Sequence, residues 1–197
     1  MLFRSGSSCV PAAPGYYVAV AGATSETPCP VGTFQPNAGQ TACELAPPGH
    51  FVGTVAAASD TACPVGTFQP STGQATCELA APGYYVSTIG QVKDTACPAG
   101  TFQPNTGQAT CEPAVPGYYV SAAGQASDTA CPAGTYQPST GQTGCILASV
   151  NHYVPGAGYA VQLACPAGTD QPLIGQTSCV PVTTGAKAGP AARFEFS

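Results

Sequence analysis

The eleven cysteines of this chain fall at positions 9, 29, 43, 63, 77, 97, 111, 131, 145, 165 and 179, so the gaps alternate between 20 and 14 without a slip. A 34-residue period held from end to end marks a tandem repeat, in which each unit supports its neighbours. The spacing divides the chain into a partial repeat 1–28, repeats 29–62, 63–96, 97–130 and 131–164, and a fifth, 165–197, that decays into a degenerate tail. Each repeat has a short segment, C-P-x-G-T-[F/Y/D]-Q-P-x-x-G-Q-x-x-C, starting at Cys29, Cys63, Cys97, Cys131 and Cys165. Its long segment carries P-G-Y-Y-V at residues 14–18, 82–86 and 116–120, and P-G-H-F-V at 48–52.

Pro and Gly recur every few residues and no window keeps an apolar 3.6-residue period, which argues against helices. Each unit is expected to hold at most two or three short strands. Thr67-Phe68-Gln69 and Tyr84-Tyr85-Val86 are the best candidates, being β-branched or aromatic and bounded by Pro-Gly turns. Gly73 and Gly107, in the turns S-T-G-Q and N-T-G-Q, suit positive φ. One aromatic from each half of a unit is expected to pack over a disulfide. The predicted fold class is a small disulfide-rich, mostly β and irregular protein, an elongated tandem-repeat rod of 34-residue units with short β-hairpins.

Composition explains why the cysteines must matter. Leu, Ile, Val and Phe together make up 32 of 197 residues, below the roughly one-fifth at which a chain can build an ordinary core. Only 7% of the residues are charged, four Lys plus Arg against nine Asp plus Glu. That balance cannot form a nucleic-acid-binding face. No apolar run approaches the roughly 18 residues of a membrane span, so no membrane insertion is expected.

Thiols 14 and 20 apart, with no C-x-x-C pair and two separate histidines, do not suit zinc. Disulfides in an oxidising compartment suit them. Two pairings fit the spacing. One bridges each 14-residue gap as Cys29–Cys43, Cys63–Cys77, Cys97–Cys111, Cys131–Cys145 and Cys165–Cys179, leaving Cys9 unpaired or inter-chain. The other bridges the 20-residue gaps and leaves Cys179 alone. The uniformity of the short segment, with Pro-Gly turns that can bring its ends together, favours the first. Closing a loop of about 15 residues is worth about 3 kcal/mol in the chain-entropy model. Cys9 occupies the second cysteine position of a unit whose first half is missing, and residues 1–5 resemble no signal peptide. A fragment of a longer array is the first expectation, ahead of an intermolecular bond or a misplaced start.

Ser59-Asp60-Thr61-Ala62-Cys63-Pro64-Val65-Gly66-Thr67-Phe68 resembles the cysteine-rich modules of tumour-necrosis-factor receptors, and more closely the ephrin-receptor-like repeats of large extracellular proteins. In those families C-P-x-G-T-[F/Y] opens a small disulfide loop, so the resemblance implies the 14-residue pairing and an extracellular, disulfide-stapled rod. This chain departs from them in keeping one cysteine pair per unit, and the resemblance carries over no receptor function.

No residue pattern suggests catalysis, a cofactor or a metal. His50 and His152 stand where other units have Tyr16, Tyr84 and Tyr118, and read as ring substitutes. Glu26, Asp60, Asp94 and Asp128, three residues before a first cysteine, are expected to accept turn or cap hydrogen bonds from backbone N–H groups. Glu44, Glu78 and Glu112 follow a second cysteine. No nucleophile, base and orienter motif occurs, so no enzyme is expected. No N-x-S/T acceptor exists, but 35 Ser and Thr make O-linked glycans a compositional expectation. In the tail, Phe194 and Phe196 alternate as in a short added strand. These readings converge on an extracellular or cell-surface structural protein, part of a fibre, stalk or appendage, whose partners are copies of itself. The alternative is a receptor- or adhesin-type ectodomain that binds a protein or glycan.

Overall fold

The computed structural model describes residues 2–5 and 8–182, with side chains from residue 8 onward. Among these residues there is no helix, and every strand belongs to a two-stranded antiparallel sheet. The first hairpin pairs Leu2–Ser5 with Ser8–Pro11. All later strands are two residues long.

The first strands of those later hairpins begin at Tyr16, Thr33, His50, Thr67, Tyr84, Thr101, Tyr118, Thr135, His152 and Thr169, each 17 residues after the last. The structural repeat is therefore half the sequence repeat. Residues 29–62 hold four strands, Thr33–Phe34, Glu44–Leu45, His50–Phe51 and Thr61–Ala62, where two or three were the expected maximum. Thr67–Phe68 and Tyr84–Tyr85 are strands as expected, pairing with Glu78–Leu79 and Thr95–Ala96. The extra strands follow from those pairings, since a hairpin needs a return strand and each half of a unit supplies its own.

Each half opens on Pro-x-Gly or its variant, and that turn aims the strand. The Thr67 N–H donates to the Pro64 carbonyl at 3.1 Å, with Gly66 between them at φ 80°. A side chain at Gly66 would meet both a strained backbone and the carbonyl oxygen of Gly107. Gly73 and Gly107 adopt φ 70°, the expected positive value.

The chain divides into two compact units, residues 1–114 with 120–128, and residues 115–119 with 129–197. In the first, successive halves are joined by backbone bonds that recur in register: Gly32 N–H to Val52 C=O, Gly49 to Gln69, Gly66 to Val86 and Gly83 to Gln103, all 2.7–2.8 Å. The second unit repeats the scheme with Gly117 to Gln137, Gly134 to Val154 and Asn151 to Gln171. This ladder satisfies backbone groups that strands of two residues could not satisfy alone.

Among the described residues the fully buried core contains no aromatic ring. Fully buried positions are small and alternate along the chain: Cys29, Ala46, Cys63, Ala80, Cys97, Ala114, Cys131 and Ala148 are each 0% exposed. A second buried series alternates Val and Gln, from Val18 and Gln35 to Val154 and Gln171. The aromatic strand residues Phe34, Phe51, Phe68, Tyr84 and Tyr85 are only half-buried. The buried side chains are thus no larger than Val and Gln, and these rings are left partly exposed.

Candidate functional site: two loop closures and an exposed face

Aligning the halves shows two ways of closing the same loop. The cysteine half, such as 63–79, begins at a buried cysteine and is closed by a second cysteine 14 residues on. Disulfides join Cys29 to Cys43, Cys63 to Cys77, Cys97 to Cys111, Cys131 to Cys145 and Cys165 to Cys179, with Cα–Cα separations of 5.7–5.8 Å. Cys9 is a free, exposed thiol. In the acid half, such as 80–96, alanine stands at the first cysteine position and an acid at the second.

That acid closes the loop by accepting a backbone hydrogen bond. Glu26 accepts from the Ala13 N–H at 2.8 Å, and Asp94 from the Ala81 N–H at 3.4 Å. These carboxylates do take backbone N–H groups, as expected, but from 13 residues upstream, across the whole loop. In the half 46–62 the upstream residue is Pro47, which has no N–H. There Asp60 Oδ2 lies 3.2 Å from His50 Nδ1, an ion-pair distance without hydrogen-bond geometry. In the half 148–164 the acid is replaced by Gln162, whose Oε1 accepts from the Ser149 N–H at 2.7 Å while its Nε2 donates to Ser149 Oγ at 2.9 Å. His152 Nδ1 lies 3.1 Å from that same Oγ and 3.0 Å from the Val150 carbonyl oxygen. Both histidines thus sit at strand positions otherwise held by rings and serve the local closure.

The cysteine half has a further tie that its motif contained without revealing. Gln35, Gln69, Gln103, Gln137 and Gln171 are 3–5% exposed. Gln69 Nε2 donates to the Thr76 carbonyl at 2.8 Å, and its Oε1 accepts the Ser71 N–H at 3.0 Å. Its four counterparts do the same with their own loops. A buried amide must be paired at both ends, and here the pairing ties the loop at Ser71 to Thr76, the residue before the closing cysteine. The signal was the invariable Gln of G-T-[F/Y/D]-Q-P, in contrast to the Val of P-G-Y-Y-V at the same place.

The threonine row Thr33, Thr67, Thr101, Thr135 and Thr169 is also committed internally, each Oγ1 donating to the carbonyl of the proline three residues earlier at 2.7 Å. What faces outward is sparse in charge. Leu45 and Leu79 are each 60% exposed, beside exposed Glu44 and Glu78. A shallow groove of about 410 Å³ opens beside Tyr85, Ser87, Thr110 and Cys111. Among the described residues no group of three or more His, Cys, Asp or Glu gathers in metal-binding fashion. No described helix is long and apolar enough to cross a membrane. Phe194 and Phe196 lie outside the described residues.

No curated protein matches the chain. The model of the family described as tyrosine-protein kinase ephrin type A/B receptor-like matches residues 15–63, which run from an acid half through the loop closed by Cys29–Cys43 to the next first cysteine. Over that stretch, roughly a quarter of its length, the chain is similar to ephrin-receptor-like cysteine-rich repeats.

Proposed function

We propose that this chain is an extracellular structural repeat protein that forms part of a fibre, stalk or cell-surface appendage by associating with copies of itself. The observation that carries the reading is uniformity. Each unit repeats one hydrogen-bond ladder and one disulfide closure, and what varies between acid halves is only the polar group that closes the loop. Covalent closure of each cysteine half supports an oxidising location and resistance to unfolding. The receptor-like match over 15–63 supports an extracellular ectodomain. A surface with so little charge lacks the repulsion that keeps proteins apart. Exposed Ser and Thr not held like the Thr67 row are open to O-linked glycans, which would solvate that surface.

Negative-stain imaging of native material tests the reading, with particles joined end to end or side by side as the expected result. Dispersed single particles at every concentration would overturn it. They would favour the second reading, a receptor- or adhesin-type ectodomain, which the family match and the open groove at Tyr85 support.

A further inference from the structure

The five disulfide loops of the cysteine halves make the same turn, and three of them present the same hydroxyl at its tip. Loops 63–77, 97–111 and 131–145 read P-S-T-G, P-N-T-G and P-S-T-G there, which places Thr72, Thr106 and Thr140 directly before a glycine of φ 69–70°. Loops 29–43 and 165–179 turn alike at Gly39 and Gly175, both φ 72°, but read P-N-A-G and P-L-I-G. The tip residue varies while the backbone does not.

Each tip threonine is both fixed and open. Its loop is closed by a disulfide and tied by the buried amide of Gln69, Gln103 or Gln137. Gln74, Gln108 or Gln142 then donates from Nε2 to the threonine carbonyl at 3.1 Å. The three side chains are exposed and lie in no strand, and among the described residues no hydrogen bond engages their hydroxyls. Two other threonine rows differ. The Thr67 row is half-buried and donates to proline carbonyls. Thr61, Thr95 and Thr129 are exposed, but they sit in strands paired with Phe51, Tyr85 and Tyr119, so a modifying enzyme meets a backbone already engaged. A polar loop tip flanked by small residues is the accessible acceptor. The tips also adjoin surface that water solvates poorly: Leu45 lies beside Gly73 and Leu79 beside Gly107, each leucine 60% exposed.

We propose that Thr72, Thr106 and Thr140 are O-glycosylation sites, each a hydroxyl held at the tip of a disulfide loop. The co-reactant is a sugar activated as a phosphate ester. The threonine Oγ1 bonds to its anomeric carbon, the phosphate leaves with the bonding pair, and the hydroxyl proton passes to a base of the transferase. The proposal rests on the extracellular reading and goes beyond it by naming the acceptors.

The test is peptide mapping of the full chain from its native source, by fragmentation that leaves sugars attached. Sugar mass is expected at Thr72, Thr106 and Thr140, and none at the tips of loops 29–43 and 165–179. Made in the same host, the Thr72→Ala, Thr106→Ala, Thr140→Ala variant should lose that mass and keep its five disulfides. The Thr61→Ala, Thr95→Ala, Thr129→Ala variant should keep the mass, and Ala38→Thr should add a sugar to loop 29–43. Sugar carried by Thr61, Thr95 and Thr129 in place of the tips would overturn the assignment. A chain without sugar but with its disulfides intact overturns the sites and leaves the extracellular reading standing. A chain with neither sugar nor disulfides overturns both.

Discussion

The cysteine half and the acid half share a backbone and differ in what closes it. Cys63 and Ala80 are equally buried, each donating its N–H to the carbonyl of a turn glycine, Gly49 or Gly66. Fourteen residues on, one loop ends in a sulfur bonded to its start, the other in a carboxylate that accepts an N–H. At the buried seventh position the cysteine half places Gln69, which ties its own loop at both ends, and the acid half places Val86. The cysteine half is closed covalently and tied internally. The acid half has one solvent-accessible polar closure and depends more on its neighbours.

If that contrast is right, full reduction has the largest effect. Without five loop closures worth about 3 kcal/mol each, the acid halves should lose structure with the cysteine halves. Amide hydrogen exchange reads this directly, and slow exchange persisting in 80–96 after reduction would show that the acid half stands alone. Next in size, Ala80→Cys with Asp94→Cys converts an acid half into a cysteine half. A sixth disulfide should form on oxidation and add up to about 3 kcal/mol in denaturant unfolding. Two free thiols would mean that the frames are less alike than the ladder indicates. Gln69→Leu keeps the volume but orphans the Ser71 N–H and the Thr76 carbonyl, and should cost about 2 kcal/mol. Val86→Leu, at the matching position of the acid half, orphans nothing but adds a methylene to a closed site, and should cost about 1 kcal/mol, the low end for overpacking. The smallest effect belongs to Asp94→Ala, which removes a partly exposed closure and should cost under about 1 kcal/mol. A loss as large as that from opening Cys97–Cys111 would erase the distinction between the halves.

Much of this was legible in the residues, and what was not has a definite cause. The cysteine period, the strands at Thr67 and Tyr84 and the positive φ of Gly73 and Gly107 all followed from local chemistry that tertiary contacts did not override. The 17-residue repeat was hidden although Pro30-x-Gly32-x-Phe34 and Pro47-x-Gly49-x-Phe51 both carry it. Its two defining positions change type completely, Cys29 to Ala46 and Cys43 to Asp60, so the halves look unrelated until the backbone superimposes them. The buried series of small side chains was harder to foresee because aromatics dominate ordinary cores, whereas among the described residues the buried positions are Cys, Ala, Val, Gln and turn glycines. The role of Gln69 escaped because its partners, Ser71 N–H and Thr76 C=O, are backbone groups and leave no pattern in side-chain identity.

The account turns on each disulfide closing a single cysteine half. Peptide mapping of the native chain without reduction tests this most directly. The predicted linkages are Cys29–Cys43, Cys63–Cys77, Cys97–Cys111, Cys131–Cys145 and Cys165–Cys179, with Cys9 outside that set. A Cys43–Cys63 linkage would contradict it, since that bond would span the acid half and leave the Gln69 loop open.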